Sequence, residues 1–374
     1  MKKYLVVFIC LCLCIFPVKV KALSVDAKAA IVINADTGEV IFEQNANTCL
    51  PMASTTKIMT ALLLCESGDL DETLTVTDKM VRVEGSSMGL LAGDTVSKRD
   101  LLYGMMLASG NDAANVTAYL LGGTVDGFVR LMNQKATVLG LKNTHFDTPS
   151  GLDGDTHYTT ALDLAILTRY ALKNPEFAAA ASSRSATLCY GNPPYRRTLT
   201  NHNKMLKNYE GCIGVKTGFT KKSGRCLVTA AKRQGETVIA VTLNCPDDWN
   251  THRALLDYGF EKTEVVELTP AETRYTLPVI SGTEKEIIIN IEPYKISKVT
   301  DGSFTATVNL PPFLYAPLEK GEQIGTVVYK KNDAVIEEAP ITISKAIGVK
   351  PAKKNFFETI IDNIKHIFRN IWEI

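Results

Sequence analysis

The stretch PMASTTKIMTALLL, residues 51–64, carries the strongest structural and chemical signal in the chain. It begins with small hydroxyl residues and continues in apolar helix formers, which predicts a buried helix. On that helix Ser54 and Lys57 share one face, with Cβ atoms about 5–6 Å apart. A serine hydroxyl is a weak nucleophile until a base takes its proton, and lysine is such a base when burial or a nearby cation lowers its pKa. A capping serine beside a solvated lysine explains the same residues, so the chemistry needs partners elsewhere in the chain.

The length and composition indicate an ordinary folded protein. The 374 residues are enough for two domains, and 45% of them are hydrophobic, so disorder is not expected. The formal net charge of +1 gives no sign of nucleic-acid binding.

Residues 1–22 have the pattern of a signal peptide. Lys2 and Lys3 precede an apolar run, Tyr4–Phe16, and Ala22 ends the segment with a small residue suited to cleavage. The run is too short for a comfortable membrane span. Removing the segment takes away four lysines and no acidic residue, so 37 basic residues face 40 acidic ones and the net charge becomes −3. We therefore expect an exported, mildly acidic protein.

Cysteine and histidine spacing predicts neither a metal site nor a cofactor. An even number of exported cysteines permits disulfides, but Cys65 and Cys226 lie in apolar runs where a buried free thiol is at least as common. No cysteine pair has zinc-site spacing, and the histidines show no ligand spacing either. The six cysteines after the signal peptide are Cys49, Cys65, Cys189, Cys212, Cys226 and Cys245.

Residues 23–262 are predicted to form one α+β domain. Strands are expected near its start, at 29–34 and 40–42, and near its end, at 212–216, 225–231 and 237–244. Helical patterns fill the region between them. The simplest arrangement is one antiparallel sheet that joins both ends and is flanked by a helical lobe.

The rest of the chain is predicted to form two further parts. Residues 263–346 are rich in Val, Ile, Thr and Tyr with turn residues between them, which indicates a small, β-sandwich-like domain. After a linker at 347–352, residues 353–374 have apolar residues at helical spacing and charges opposite. Such a helix is suited to a membrane surface, and the alternatives are docking on its own domain or dimerisation.

Three short motifs follow one another in the predicted catalytic domain. They are Ser54-Thr55-Thr56-Lys57, Ser109-Gly110-Asn111 and Lys216-Thr217-Gly218. Sets of this type belong to penicillin-binding proteins and serine β-lactamases. With the signal peptide, the β domain and the terminal helix, the chain resembles the D-alanyl-D-alanine carboxypeptidases, the low-molecular-mass penicillin-binding proteins. Residues 140–146 and 149–153 are similar to that family too.

The resemblance implies a transpeptidase/β-lactamase-like catalytic domain and a role for each motif residue. Ser54 would attack the carbonyl of the penultimate D-alanine, Lys57 would take the hydroxyl proton, and Ser109 would relay it to the leaving amine. The implied substrate-binding residues are Asn111, Lys216, Thr217, Gly218 and Phe219. The backbone N–H groups of Phe219 and Ser54 would form an oxyanion hole. Peptidoglycan stem peptides ending in D-Ala-D-Ala and β-lactam antibiotics are the implied partners.

Two features depart from the family pattern. Many members carry histidine after Lys-Thr-Gly, where this chain has Phe219. The family also binds the substrate carboxylate with an arginine, and that position falls near His202 or Asp247 here. Lys216, Arg225 and Arg253 remain as alternatives. A second Lys-Ser-Gly at Lys222 lies in a polar turn, so Lys216 is preferred.

Three functions are therefore in competition. A carboxypeptidase at the outer face of the bacterial cytoplasmic membrane explains most of the sequence. A serine β-lactamase is the first alternative, but the chain lacks a Glu-x-x-x-Asn loop between Ser109 and Lys216, and such an enzyme needs neither the β domain nor the anchor. A non-catalytic penicillin or muropeptide sensor is the second alternative.

Overall fold

A computed structural model describes residues 23–298, 303–351 and 360–361. The chain divides into two compact units, Met1–Lys262 and Thr263–Ile374. The predicted signal peptide lies outside the described residues, and so does the predicted terminal helix apart from residues 360 and 361. Within the described residues, no helix has both the length and the apolar character needed to cross a bilayer.

The first unit alternates strands and helices. In chain order it contains β1 (Ala29–Asn34), β2 (Val40–Gln44), α1 (Lys57–Glu66), β3 (Thr73–Thr75), α2 (Asp78–Val81), β4 (Thr95–Ser97), α3 (Lys98–Leu107), α4 (Asn111–Gly122), α5 (Val125–Val138), α6 (Ala161–Ala171), α7 (Pro175–Ser182), β5 (Ser185–Gly191), β6 (Pro194–Thr200), α8 (Met205–Asn208), β7 (Cys212–Thr220), β8 (Gly224–Arg233), β9 (Glu236–Leu243) and α9 (Asp248–Glu261).

The predicted antiparallel sheet is confirmed. Its strand order is β2-β1-β9-β8-β7, so the first hairpin lies beside the last three strands of the unit. Alternate side chains of a strand point to opposite faces, and all six residues of β1 are buried. Ile31 and Ile33 join the large core of the helical lobe, whereas Val32 joins a smaller core with Leu255 and Leu256 of α9. Both faces of the sheet are therefore covered.

Strand β6 and helix α7 are the longer elements of the first unit that were not predicted. Residues 194–200 read PYRRTLT and pair with β5 in a second sheet of order β3-β4-β5-β6, where their mixed polarity hides the strand pattern. Helix α7 begins with Asn174 as its N-cap and Pro175 at its first position, which is a recognisable start signal. All six cysteines of residues 23–351 are free, and Cys65 and Cys226 are buried as their apolar surroundings suggested.

The second unit is an all-β structure, as predicted. Its strands are β10 (Glu264–Leu268), β11 (Arg274–Ile280), β12 (Glu286–Asn290), β13 (Tyr294–Lys298), β14 (Phe304–Asn309), β15 (Leu314–Tyr315), β16 (Gln323–Lys331) and β17 (Ala334–Thr342). They form sheets of order β10-β13, β12-β11-β15 and β14-β16-β17. Leu277, Ile287 and Val327 belong to a separate apolar core, so this unit has its own source of stability.

Candidate active site

The nucleophile candidate lies in a tight turn at the start of α1. Residues Ala53–Thr56 form a 3₁₀ turn, and the α-helix begins only at Lys57, so the predicted single helix is wrong at its first turn. Ala53 has φ of +47°, an uncommon conformation for a residue with a side chain. The hydroxyls of Thr55 and Thr56 donate to the carbonyls of Met52 and Ala53 at 2.6 and 2.8 Å. These bonds hold the turn in place, and Ser54 lines a cleft beside it.

Lys57 is the central group of the site. Its side chain is fully buried, and its Nζ lies 2.9 Å from Ser54 Oγ. It donates to Asn111 Oδ1 at 2.7 Å and to the carbonyl of Ser150 at 2.6 Å. A neutral amine has two N–H donors and one lone pair. The two carbonyl-type oxygens therefore use both donors, and the lone pair is left for the Ser54 hydroxyl.

The surroundings of Lys57 favour its neutral form. Burial lowers the pKa of Lys57 well below its usual value, the charge of Lys216 lowers it further, and Asp112 acts in the opposite direction. Burial also lowers the pKa of Lys216 to about 7. Burial and the charge of Lys216 therefore both favour the neutral amine of Lys57, the form that can act as a base.

The second and third motifs meet directly. Lys216 lies on the edge strand β7 and is buried, and its Nζ donates to Ser109 Oγ at 3.1 Å and to the carbonyl of Thr217 at 3.1 Å. Ser109 is held between α3 and α4 with φ of +57°. Asn111 starts α4 and donates its Nδ2 to the carbonyl of Glu84 at 2.6 Å. All three predicted motifs therefore surround Lys57.

Strand β7 passes very close to the turn that carries Ser54. A Cβ on Gly218 would lie 3.0 Å from the carbonyl oxygen of Met52 and 3.1 Å from the backbone nitrogens of Ser54 and Thr55. Only glycine permits this approach without displacing backbone. The next residue, Phe219, has a side chain that is 65% exposed, so its contribution to the site is its backbone.

The cleft itself encloses about 310 Å³. Its lining includes residues from each motif together with a group at the start of α9. The lining residues are Ser54, Ser86, Ser109, His202, Thr217, Gly218, Phe219, Arg225, Asp248 and Trp249. The rival motif is not there: Lys222 lies in the turn between β7 and β8 and donates to the carbonyl of Gly154 at 2.9 Å.

Several residues that shape the site were not identified in the sequence. Asp112 is buried and accepts from the Ser87 hydroxyl at 2.5 Å and from the backbone N–H groups of Met88, Gly89 and Leu90 at 3.0 Å each. It therefore holds the loop that contains Ser86 against α4. The only sequence signal was its position beside Asn111.

The loop that contains Asp147, Gly151 and His157 packs against the turn that carries Ser54. His157 accepts a hydrogen bond from the backbone N–H of Asp147 at its Nδ1, 2.9 Å away, so the proton of a neutral ring lies on Nε2. That Nε2 lies 2.8 Å from the Thr56 hydroxyl, which itself donates to Ala53. Gly151, with φ of +88°, packs so tightly on this turn that a Cβ would overlap the carbonyl oxygen of Ala53. His157 is therefore a buried hydrogen-bonding residue.

No group of three or more His, Cys, Asp or Glu residues within 23–298, 303–351 and 360–361 could hold a metal ion.

Comparisons with known proteins match both units. Residues 17–247 match the D-alanyl-D-alanine carboxypeptidase family, and residues 261–348 match the C-terminal domain of penicillin-binding protein 5. The chain is 33% identical to D-alanyl-D-alanine carboxypeptidase DacF of Bacillus subtilis, over 85% of each chain. It is 33% identical to DacC of Escherichia coli, over 88% of this chain and 86% of that relative.

Solved structures agree with these relatives. D-alanyl-D-alanine carboxypeptidase DacD of Francisella tularensis superposes with a TM-score of 0.63 at 25% identity, covering 90% of this chain and 97% of that one. The Streptomyces K15 DD-transpeptidase superposes with a TM-score of 0.62 at 34% identity, covering 65% of this chain and all of that one.

Proposed function

The chain belongs to the D-alanyl-D-alanine carboxypeptidase family of serine hydrolases, and on that premise we propose that Ser54, Lys57 and Ser109 cleave the terminal D-alanine from peptidoglycan stem peptides. The observation that carries the proposal is the buried Nζ of Lys57, which lies 2.9 Å from Ser54 Oγ and makes its other two hydrogen bonds to the oxygens of Asn111 and Ser150. β-Lactams would acylate the same hydroxyl.

In the first step Ser54 Oγ attacks the carbonyl carbon of the penultimate D-alanine. Lys57 Nζ accepts the hydroxyl proton as the new C–O bond forms. Because Asn111 and Ser150 fix the two N–H groups of Lys57, its lone pair needs no reorientation before the transfer.

The carbonyl oxygen becomes an oxyanion as the bond forms. The backbone N–H groups of Ser54 and Phe219 are the proposed donors to it, because Gly218 brings strand β7 against the nucleophile turn. Donors fixed on backbone need no reorganisation when the charge develops.

The C–N bond then breaks, and the leaving amine needs a proton. Ser109 Oγ is the proposed donor: it gives its hydrogen to the amine and takes in its place the proton that Lys57 removed from Ser54, so Lys57 is neutral again, while the hydrogen bond from Lys216 Nζ, 3.1 Å away, orients the Ser109 hydroxyl. Free D-alanine departs with its proton, and the shortened peptide remains as an ester on Ser54. Water then attacks the ester, its proton passes to Lys57, and Ser54 Oγ recovers its hydrogen as the peptide leaves.

Incubation with labelled penicillin and with a peptide ending in D-Ala-D-Ala separates this function from its alternatives. We expect a stable adduct on Ser54 and release of D-alanine from the peptide. Rapid penicillin hydrolysis without D-alanine release would support a β-lactamase, and acylation without peptide cleavage would support a sensor. A Ser54→Ala variant is the control for adducts at other sites.

We also propose where in the cell the enzyme acts. A signal peptide at residues 1–22 would export the chain, and an amphipathic helix at residues 353–374 would hold it at the outer face of the cytoplasmic membrane. Peptidoglycan substrates in the cell wall are consistent with both the export of the chain and its attachment to the membrane.

A further inference from the structure

The terminal carboxylate of a D-Ala-D-Ala peptide needs a cationic partner in the cleft. A carboxylate taken out of water is costly unless charged donors satisfy it. In the sequence, the position that would supply an arginine falls near His202 or Asp247, and the candidates to replace it were Lys216, Arg225 and Arg253.

Two of these candidates do not fit the requirement. Lys216 is buried and already donates to Ser109 and Thr217, so it serves the reacting centre. Arg253 is exposed on α9 and does not line the cleft.

Arg225 does fit. It lines the cleft on strand β8, directly opposite Phe219 in the ladder with β7. Residues directly opposite in an antiparallel pair project from the same face, and residues two apart on a strand do so too. The side chains of Thr217, Phe219 and Arg225 therefore share one face of the sheet, while Lys216 projects from the other.

The Arg225 guanidinium is held in place, but some of its N–H donors remain unused. Its Nη2 lies 2.9 Å from Oδ1 of Asp248, a carboxylate only 4% exposed, and its carbon lies 5.7 Å from the ring centre of Trp249. The Arg225 side chain is 42% exposed, and its guanidinium makes no well-aligned hydrogen bond to any residue in the described part of the chain. Arginine presents five N–H donors in a planar fork, so most remain open to a second carboxylate.

We propose that Arg225, positioned by Asp248 and Trp249, binds the C-terminal carboxylate of the substrate together with the Thr217 hydroxyl. This rests on the proposed function and makes Arg225 the residue that restricts the enzyme to a free chain end. Arg225 and Lys216 project from opposite faces of the sheet, so carboxylate binding and proton transfer use separate cations.

The test compares a peptide ending in D-Ala-D-Ala with the same peptide as a C-terminal amide. The variants are Arg225→Gln, Arg225→Lys and, as a matched surface control, Arg253→Gln. The assay measures the release of D-alanine or D-alaninamide and must detect rates down to about 1,000-fold below the wild-type rate on the acid.

We expect Arg225→Gln to lower kcat/KM on the acid by about 100-fold, the effect of losing charge-assisted hydrogen bonds, and to change the rate on the amide less than about threefold. Arg225→Lys should lose about tenfold on the acid, because an ammonium keeps the charge without the fork. Arg253→Gln should match the wild type on both substrates. Complete acylation of Ser54 by excess penicillin in each variant would show an intact site.

Three results would overturn the assignment. An Arg225→Gln rate within threefold of wild type on the acid would place the carboxylate elsewhere. An equal loss of kcat/KM on the acid and on the amide would make Arg225 a structural residue. Equal rates of the wild-type enzyme on the acid and the amide would mean that it does not recognise the C-terminal carboxylate. If the wild type neither releases D-alanine nor is acylated by penicillin, the proposed function itself fails, which differs from every result confined to Arg225.

Discussion

At the scale of single residues, the site depends on two lysines that burial has made into different chemical groups. Burial and the neighbouring charge of Lys216 lower the pKa of Lys57 and favour its neutral form, and Lys216, with a pKa of about 7, carries most of its charge below pH 7. The same residue type thus supplies a base and the charge that helps to keep it a base.

Replacing Lys216 tests this division directly. Because the Lys216 charge lowers the pKa of Lys57, Lys216→Gln should raise that pKa and move the acid side of the pH profile for Ser54 acylation to higher pH. Above about pH 7 wild-type Lys216 loses its own proton, so the difference should be largest below pH 7. Lys222→Gln, in the rival Lys-Ser-Gly, is the matched control and should leave the profile unchanged. An unshifted acid limb in Lys216→Gln would contradict the electrostatic role.

A buried histidine makes stability depend on pH. Burial lowers the pKa of His157 to about 4, whereas the unfolded chain has a value of about 6.5. The unfolded chain therefore binds more protons between these values, so stability falls as pH drops from 6.5 towards 4. His252, buried between Thr229 and Thr242 with a pKa of about 3, acts in the same direction.

We expect each of these histidines to lower the free energy of unfolding by roughly 2 kcal/mol between pH 7 and pH 5. The measurement is the urea unfolding transition of the first unit. In His157→Gln, the fall over this range should be smaller than in the wild type by roughly 2 kcal/mol, while the contributions of His252 and of His202, whose pKa is also lowered by burial, remain. An equally steep fall in the variant would show that His157 does not titrate as its burial indicates.

At the scale of elements, the site forms where β7 meets the turn before α1. Sequence patterns located both elements, since Ser54 precedes an apolar helix and Lys216 follows apolar β-branched residues. They could not locate the carbonyls of Ser150 and Glu84, because every residue has a carbonyl and only the fold decides which ones reach a side chain. Asp112 was missed for a related reason: its partners are backbone N–H groups of a loop more than twenty residues away.

The contact between these elements predicts a strict need for glycine at position 218. In Gly218→Ala the new methyl group would push the strand away from the backbone nitrogens of Ser54 and Thr55 and disturb the proposed oxyanion hole. We expect penicillin acylation to slow by about 10- to 100-fold while the protein still folds. Gly348→Ala is the control, since the nearest atom to its Cβ would be 3.8 Å away. Wild-type acylation in Gly218→Ala would refute the close approach.

At the scale of the whole molecule, the chain combines two units with separate cores. The sheet that joins the first and last strands of residues 23–262 followed from strand patterns at both ends, and the all-β character of the second unit followed from its composition. The pairing that forms the second small sheet was not predicted, because β3 and β4 have only three residues each and β6 is mixed in polarity, which leaves no clear period to follow.

The terminal helix predicted from residues 353–374 can be tested in cells. Deleting these residues should move the protein from the membrane fraction to the soluble fraction and leave D-alanine release within about twofold. Ile364→Asp with Phe368→Asp, on the predicted apolar face, should have the same effect, whereas Asp362→Asn with Lys365→Gln, opposite that face, should stay with membranes. Loss of activity on deletion would instead make the segment part of the fold.

The central claim, an uncharged Lys57 poised to deprotonate Ser54, has a direct measurement. The lysine side chains are labelled with ¹³C, the Lys57 signal is assigned by its absence in a Lys57→Met variant, and its chemical shift is followed by NMR as the pH is varied. We expect the Lys57 signal to titrate with a midpoint well below that of ordinary lysines. A Lys57 that keeps its proton up to pH 10 would contradict it.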